Sequence, residues 1–250
     1  MTSFTICMPT YNERENIDTL IPELLSIFDS HNLEGRILVI DDNSPDGTAD
    51  VVRKWQEKDD RIELMVRTAK EGLGKAYIAG FKEALRGEPD VVFEMDADHS
   101  HDPKVIPLMI TKIEEGKDFI VGSRKIPGGS NPDWPLHRRM ISTGANMYTR
   151  TLLRLRVHDV TSGYRAFRRD LLERIKLDEV DCNGYAFQIE LAYLVEKHLK
   201  AEVGEVPIIF EDRKYGQSKL GGSDILEFFA QVQKLFFFGW RRRSKVRSRT

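Results

Sequence analysis

The sequence predicts an α/β fold in which a mostly parallel central sheet is flanked by helices. Three observations support this prediction. Short apolar runs alternate with segments of helical periodicity through the first half of the chain. The helical segments are roughly 10–15 residues long, the length that connects parallel strands. Polar, acid-rich or glycine-containing stretches follow the apolar runs directly, as expected where a strand ends at a turn. Repeated β-α-β units of this kind form doubly wound sheets.

Five strands are predicted before residue 124, each a short apolar run. They are Phe4–Met8, Ile37–Ile40, Ile62–Val66, Pro89–Met95 and Phe119–Gly122. The first intervening helix contains Pro22, so we expect it to start late or to kink there. The following helices are predicted at Asp46–Lys58, Lys75–Leu85 and Pro103–Glu115.

After Arg124 the pattern changes from regular alternation to longer helices and loops. The predicted elements are a loop at Ile126–Pro135, a helix from about Arg138 to Leu155, a loop at Val157–Tyr164, a helix at Gly184–Lys197, a strand at Val203–Phe210 and a loop at Arg213–Gly222. A final amphipathic helix is indicated by the apolar spacing of Ile225, Phe228, Phe229, Val232, Leu235 and Phe236. Because no linker interrupts the chain, we predict one domain, residues 1–240, followed by a basic tail, 241–250.

Composition bounds the class of protein. The chain has 250 residues, 40% of them hydrophobic, which is enough for one large core. Its two cysteines, Cys7 and Cys182, exclude a disulfide framework, and Cys7 is predicted to be a buried thiol. No signal-peptide pattern and no apolar run of about 18 residues occurs, so no membrane-spanning helix is predicted.

Charge is unevenly distributed along the chain. The net charge is −2, yet the segment 241–249 carries six cations and no acid, which leaves −8 on the remainder. A basic end on an acidic body indicates an anionic partner, a membrane surface or a nucleic acid, although a merely solvated tail is the alternative. Nucleic acid is disfavoured because the body lacks a basic stripe with aromatic stacking residues.

The triplet Asp96-Ala97-Asp98 follows the fourth predicted strand. If that strand continues through the triplet, both carboxylates point to the same side. They lie at the edge where an open α/β sheet binds its ligand, and paired carboxylates suit Mg²⁺ or Mn²⁺. For an isolated pair, a solvated acidic turn is the alternative. The neighbouring His99 and His101 are weaker candidates because Mg²⁺ prefers oxygen.

Polar segments also follow the first two strands. They are Pro9-Thr10-Tyr11-Asn12-Glu13 and Asp41-Asp42-Asn43-Ser44-Pro45-Asp46-Gly47-Thr48. Carboxylates there can accept hydrogen bonds from a ribose or a base. Asp46 is favoured as a helix cap, whereas the adjacent Asp41 and Asp42 have no evident packing purpose.

The stretch Gly72-Leu73-Gly74-Lys75-Ala76 resembles two glycine motifs and satisfies neither. A dinucleotide motif requires glycine at Tyr77, and a P-loop requires Ser or Thr at Ala76. An NAD enzyme and a P-loop NTPase are therefore disfavoured, although Lys75 at a helix start can still approach a nucleotide. Cations on later loops, Arg124, Arg213 and Lys219, are suited to phosphate oxygens.

Together these segments resemble the family-2 glycosyltransferases of GT-A fold, and within them the dolichol-phosphate mannose synthases. The resembling pieces occur in family order over roughly residues 4–220. They are Pro9–Glu13, Asp41–Thr48, Gly72–Lys75, Asp96–Pro103, Gly122–Arg124, Thr161–Arg165 and Arg213–Lys219.

The resemblance implies a function for each piece. The donor would be GDP-mannose, the acceptor dolichyl or polyprenyl phosphate, and the reaction metal-dependent and inverting. Residues 1–124 would bind the nucleotide sugar, 125–220 the acceptor, and 221–240 would form an interface helix. Family residues carried over to the nucleotide site are Pro9, Tyr11, Glu13, Asp41, Asp42 and Lys75. Those carried over to the metal site are Asp96, Asp98 and Ser100, and at the last position the family often has Gln. Those carried over to the phosphates are Arg124, Arg213 and Lys219.

The same resemblance implies a peripheral place on the cytoplasmic face of a membrane. Aromatic residues followed by cations, Phe236–Arg243, suit a lipid interface. Some family members rely on small membrane-anchoring subunits. Two alternatives stay open: a hexosyltransferase that uses a UDP-sugar, and a non-catalytic module that binds a nucleotide sugar or nucleic acid.

Overall fold

A computed structural model describes residues 1–180, 184–211 and 222–247. In these ranges seven strands form one sheet in the order β3-β2-β1-β4-β6-β5-β7. The strands are β1 (Phe4–Thr10), β2 (Gly35–Asp41), β3 (Ile62–Val66), β4 (Val91–Glu94), β5 (Phe119–Ser123), β6 (Arg165–Arg168) and β7 (Val203–Pro207). The α-helices are α1 (Arg14–Ser30), α2 (Thr48–Gln56), α3 (Leu73–Arg86), α4 (Ile106–Glu114), α5 (Leu136–Leu153), α6 (Arg169–Glu173), α7 (Gly184–Tyr193) and α8 (Gly222–Phe238).

Side-chain alternation in the strands distributes the helices over both faces of the sheet. Phe4, Ile6 and Met8 of β1 face a core that includes residues of α1, α2 and α4. Cys7 faces the opposite core, to which α3, α7 and α8 contribute. The period of two is that of a strand buried on both faces. The predicted α/β class and the buried Cys7 thiol are confirmed.

One central strand was not predicted. β6 pairs antiparallel with β4 and with β5 and lies between them, while the other pairs are parallel. Its sequence, Arg-Ala-Phe-Arg, carries a cation at each end and gives no apolar run. Arg165 is nevertheless fully buried, because its guanidinium donates to the carbonyl oxygens of Val160, Ser162 and Gln188.

Several predicted boundaries are wrong. Helix α1 begins at Arg14 and continues through Pro22, because its apolar face is buried on both sides of the proline. The segment predicted as one helix at Pro103–Glu115 begins with a 3-10 turn, Pro103–Val105, and β7 ends at Pro207. Strand β4 ends at Glu94, so Asp96 and Asp98 lie in a loop and the strand-alternation argument does not apply to them.

The C-terminal helix exists, but apolar side chains lie on both sides of it. Phe228, Val232 and Leu235 are buried, whereas Phe229 and Phe236 are 40% and 50% exposed. None of the described helices combines the length and apolarity needed to cross a bilayer.

The segment after α8 packs back onto the body instead of extending as a tail. Residues Gly239–Lys245 form a 3-10 helix, and Val246 makes a β-bridge to Ile175. The Nζ of Lys245 lies 2.9 Å from Oε1 of the fully buried Glu190. One of the six cations assigned to a basic tail is therefore internal to the fold.

Candidate active site

The loop after β4 is held by buried side chains from other elements. The hydroxyl of Tyr77 on α3 donates to Oδ1 of Asp96 at 2.9 Å, and the backbone N–H of Asp96 donates to Nδ1 of His101 at 3.0 Å. Tyr77 is stacked against Phe187, and His101 is stacked on Tyr164 with ring centroids 4.8 Å apart. Packed aromatic rings thus fix the orientation of the Asp96 carboxylate.

Asp98 is fixed by the next turn of the same loop. Its Oδ1 accepts the backbone N–H of Ser100 at 3.1 Å and the Ser100 hydroxyl at 2.5 Å. His99 between them adopts a left-handed conformation with φ of 64°. Its Nε2 lies 2.8 Å from the Thr19 hydroxyl on α1. A non-glycine residue in this conformation is uncommon and often marks a functional turn.

The donor chemistry of this loop fits a hard divalent ion. Asp96 and Asp98 supply carboxylate oxygens, and Ser100 supplies a hydroxyl that here orients Asp98. Across the described ranges, no group of three or more His, Cys, Asp or Glu side chains is placed to hold a metal. Mg²⁺ usually takes one or two carboxylates together with substrate phosphates, and Asp96 and Asp98 match the protein part of that ligand set.

A buried polar layer lies behind Asp96. Glu94 accepts a hydrogen bond from Nε2 of Gln188 at 3.1 Å and lies 3.9 Å from Nε of Arg165. Burial raises the pKa of Glu94 to about 8, although Arg165 opposes the shift. A Cβ atom at Gly163 would lie 3.7 Å from Oδ2 of Asp96, so the segment before β6 closely covers the carboxylate.

The loops after β1 and β2 are joined to each other, as the parallel order predicts. The backbone N–H of Asn12 donates to the Ser44 hydroxyl at 3.0 Å, and that of Glu13 donates to the Thr48 hydroxyl at 3.1 Å. The predicted capping role of Asp46 is wrong: Gly47 is the N-cap of α2, and no side chain caps that helix. Asp46 lies one residue earlier and accepts the backbone N–H groups of Thr48 at 3.0 Å and Arg14 at 3.1 Å.

The side chains assigned to the nucleotide site differ in exposure. Tyr11 is 37% exposed, and the Lys70 ammonium lies 3.8 Å from its ring centroid. Glu13 accepts from Nδ2 of Asn16 at 2.6 Å. Pro9 lies near the end of β1, and Lys75 lies in the first turn of α3, 3.6 Å from Glu71. Tyr11 is therefore the accessible aromatic surface of this region.

The adjacent acids Asp41 and Asp42 do have structural roles, contrary to expectation. Asp41 is fully buried and accepts hydrogen bonds from Thr10 and from the backbone and hydroxyl of Ser44. Asp42 pairs with Arg67 at 2.7 Å. Burial raises the pKa of Asp42, and Arg67 opposes that rise.

Arg124 is held at the end of β5 by a buried carboxylate. Its Nε and Nη2 each lie 2.7 Å from an oxygen of Asp159, and its backbone N–H donates to the same group at 3.0 Å. Asp159 is buried, which alone would raise its pKa, yet the Arg124 guanidinium keeps that pKa below its usual range. The rings of Trp134 and Phe210 lie 5.5 and 5.2 Å from the guanidinium carbon.

The structure places Asp96, Asp98 and Arg124 at the carboxyl edge of the sheet. Arg213 and Lys219 lie outside the described residues. Sequence reasoning missed the two side chains that orient Asp96 and Arg124, which are Tyr77 and Asp159, because no local pattern links them. Arg138 in the first turn of α5 is a further cation beside Trp134, 3.8 Å from the ring centroid.

The sequence matches a known protein family and curated relatives. The model of glycosyl transferase family 2 matches residues 5–176. The chain belongs to glycosyltransferase family 2. A polyprenol monophosphomannose synthase of Mycolicibacterium smegmatis is 43% identical over 230 residues, covering 91% of this chain and 84% of the relative. An undecaprenyl-phosphate mannosyltransferase of Micrococcus luteus is 39% identical over 227 residues, covering 91% of both chains.

Solved structures support the GT-A fold of this family-2 glycosyltransferase. A mannosyl-3-phosphoglycerate synthase from Rubrobacter xylanophilus aligns with a TM-score of 0.71 at 18% identity, over 100% of this chain and 77% of the other. A mannosyltransferase from Pyrobaculum calidifontis, solved with GDP-Man and Mn²⁺, aligns with a TM-score of 0.60 at 17% identity, over 98% and 65%. The predicted GT-A fold and the family-2 assignment are confirmed.

Proposed function

We propose that this enzyme transfers mannose from GDP-mannose to a polyprenyl phosphate with inversion at the anomeric carbon. The proposal rests on the paired carboxylates Asp96 and Asp98, which lie on one loop at the carboxyl edge of the sheet. Arg124 follows strand β5 at the same edge. The two curated relatives are named for transfer of mannose to polyprenyl phosphates. The Pyrobaculum neighbour binds GDP-Man with Mn²⁺.

The proposed site divides along the chain. Residues 1–124 bind the donor and 125–220 the acceptor. Asp96 and Asp98, with Ser100 beside them, hold Mg²⁺ or Mn²⁺, and such an ion neutralises charge on a leaving diphosphate. The nucleotide is met by Pro9, Tyr11, Glu13, Asp41, Asp42 and Lys75, and the phosphates by Arg124, Arg213 and Lys219.

The proposed reaction depends on positioning the acceptor phosphate against the donor sugar more than on proton transfer. The second pKa of a phosphate monoester is about 6, so the acceptor is ionised near neutral pH and needs no general base. Asp159 fixes the orientation of Arg124, whose side chain is largely buried, so the guanidinium is preorganised beside the proposed acceptor site. Direct displacement by the phosphate oxygen then converts an α-linked donor sugar to a β-linked product.

Nucleotide titration and a transfer assay test this proposal. We expect GDP to bind more tightly than UDP in the presence of Mn²⁺, and mannose to pass from GDP-mannose to farnesyl phosphate. Proton NMR of the product should show a β-linkage. Preference for UDP and a UDP-sugar would instead establish a different hexosyltransferase, and an α-linked product would refute inversion. No metal-dependent nucleotide binding would leave only a non-catalytic module.

We also propose that the enzyme lies on the cytoplasmic face of a membrane through helices α5 and α8. Exposed apolar side chains cover these two helices: Leu136, Met140, Ile141, Met147, Phe229, Phe236, Phe237 and Phe238. A groove of about 510 Å³ between them is lined by Met147, Tyr148, Leu152 and Phe236, among others. An exposed apolar surface of this kind marks an interaction site.

Cations lie at the end of the same surface. Arg154 lines the groove, Lys197 contacts the Arg154 carbonyl, and Arg241 lies 5.4 Å from the Phe238 ring centroid. Burial and the nearby cations Lys200, Arg156 and Arg154 lower the pKa of Lys197, although Glu196 opposes this. Aromatic residues with cations beside them suit an anionic bilayer surface. A separate anchoring subunit remains a prediction.

Replacing Met140 and Phe237 together with Ser should weaken binding to anionic vesicles by about tenfold or more, because each buried apolar side chain contributes about 1.5–3 kcal/mol. The measurement is sedimentation with phosphatidylglycerol vesicles at low and high salt. Leu108→Ser is the matched control, an exposed apolar residue on α4. Unchanged vesicle binding of the double variant would place the membrane contact elsewhere.

A further inference from the structure

Asn146 is a buried polar residue in the middle of α5, the helix whose other face is exposed and apolar. Its Oδ1 accepts the backbone N–H of Val160 at 2.8 Å. Its Nδ2 donates to the Ser142 carbonyl oxygen at 3.0 Å and to the Thr161 hydroxyl at 3.3 Å. Both ends of the amide are therefore engaged, which ties α5 to the loop that precedes β6.

The Thr161 hydroxyl continues the connection to Arg124. It donates to Oδ1 of Asp159 at 3.2 Å and accepts from Nη2 of Arg124 at 3.0 Å. Asp159 is fully buried and holds Arg124 through both carboxylate oxygens. Four side chains thus form one continuous hydrogen-bonded chain: Asn146, Thr161, Asp159 and Arg124.

The two ends of this chain meet different parts of the proposed acceptor. Arg124 lies at the phosphate end, and α5 presents Met140, Ile141 and Met147 to the proposed bilayer surface. A phosphate and its lipid chain belong to one molecule, so the separation between Arg124 and α5 has to be constant for productive binding. A network that is buried and fully bonded supplies such rigidity.

We propose that Asn146 is a positioning residue that holds Arg124 in register with the lipid-facing helix α5. The inference rests on the proposed function, because it assumes that Arg124 meets the acceptor phosphate. It adds a residue that touches neither substrate and a route by which α5 determines acceptor binding. A purely structural role for Asn146 would instead affect donor and acceptor binding alike.

The test compares Asn146→Ala and Thr161→Val with Thr149→Val. Thr149 is a fully buried α5 residue whose hydroxyl has no hydrogen-bond partner among the described residues, so its replacement is a matched control. The readouts are KM and kcat for farnesyl phosphate, KM for GDP-mannose, and GDP affinity with Mn²⁺. Thr161→Val is nearly isosteric and preserves a test if Asn146→Ala does not fold.

We expect both variants to lower kcat/KM for the acceptor by about tenfold or more, since small misplacements of a positioning group are costly. GDP affinity and KM for GDP-mannose should stay within about twofold of wild type, as should every value for Thr149→Val. The variant that combines Asn146→Ala with Thr161→Val should lose less acceptor kcat/KM than the product of the two single losses, because both substitutions act through one connection.

Unchanged acceptor kinetics in Thr161→Val, or equal losses in donor and acceptor binding, would overturn the role of Asn146 while leaving mannosyl transfer by the wild type intact. Absence of transfer by the wild-type enzyme would overturn the proposed function, and this inference with it. The two failures are thus distinguished by the wild-type assay alone.

Discussion

Asp98→Asn should lower mannosyl transfer by a factor on the order of 10³ while leaving the fold intact. If Asp98 holds the divalent ion as proposed, removing its charge weakens that hold and with it the stabilisation of the leaving diphosphate. The fold should survive because the amide oxygen of Asn can still accept the bonds from Ser100. Transfer rate, Mn²⁺-dependent GDP binding and thermal melting measure the three parts of this expectation.

Asp102→Asn is the control for that experiment. Asp102 lies on the same loop, and its Oδ1 accepts the Lys104 backbone N–H at 2.9 Å, so it also orders a turn. It should retain activity within about twofold, as expected for a substitution away from the chemistry. Full activity of Asp98→Asn would exclude Asp98 from the metal site.

Lys245→Met should lower the free energy of unfolding by about 3–5 kcal/mol, because it leaves Glu190 buried without its cation. Gln231, whose Nε2 lies 3.3 Å from the same carboxylate, cannot replace that charge. In a chain of this length the melting temperature should fall on the order of 10 °C. Urea unfolding followed by circular dichroism measures the difference.

Two further variants test whether the loss of stability comes from the buried ion pair. Lys245→Met combined with Glu190→Leu should recover most of the loss, since replacing both members of a buried pair is often neutral. Lys112→Met removes an exposed partner of Glu115 and should change stability by less than about 0.5 kcal/mol. If Lys245→Met unfolds like wild type, the C-terminal segment is not part of the stable core. Because Lys245 pairs with the buried Glu190, deleting residues 241–250 would destabilise the fold as well as remove cations, and it is therefore a poor test of membrane binding.

The order of helices and strands was predictable where the sequence shows clear hydrophobic periodicity. Strands β1 to β5 and helices α1 to α4 followed from apolar spacing, with errors of a few residues at the ends. Strand β6 was missed because Arg165 is buried through hydrogen bonds to the carbonyl oxygens of Val160 and Ser162, in the loop just before it, and of Gln188 on α7. A charge can be satisfied inside a protein by partners that composition does not reveal.

The candidate site was predictable to the level of residue type, and its supports were not. Asp98 and Arg124 stood out as a carboxylate and a cation at strand ends. Their supports lie far along the chain: Tyr77, which orients the neighbouring Asp96, is 19 residues from it, and Asp159, which orients Arg124, is 35 residues from it. Such contacts depend on tertiary packing, which local patterns do not contain.

Strand β6 also separates opposite charges. Because β6 lies between β4 and β5, the carboxylates after β4 and the guanidinium after β5 are two strand spacings apart, about 10 Å. If β4 and β5 were direct neighbours, that separation would be about 5 Å, and Asp96 would compete with Asp159 for Arg124. The antiparallel insertion instead lets Arg124 pair with Asp159 while the Asp96 carboxylate keeps its bond from Tyr77.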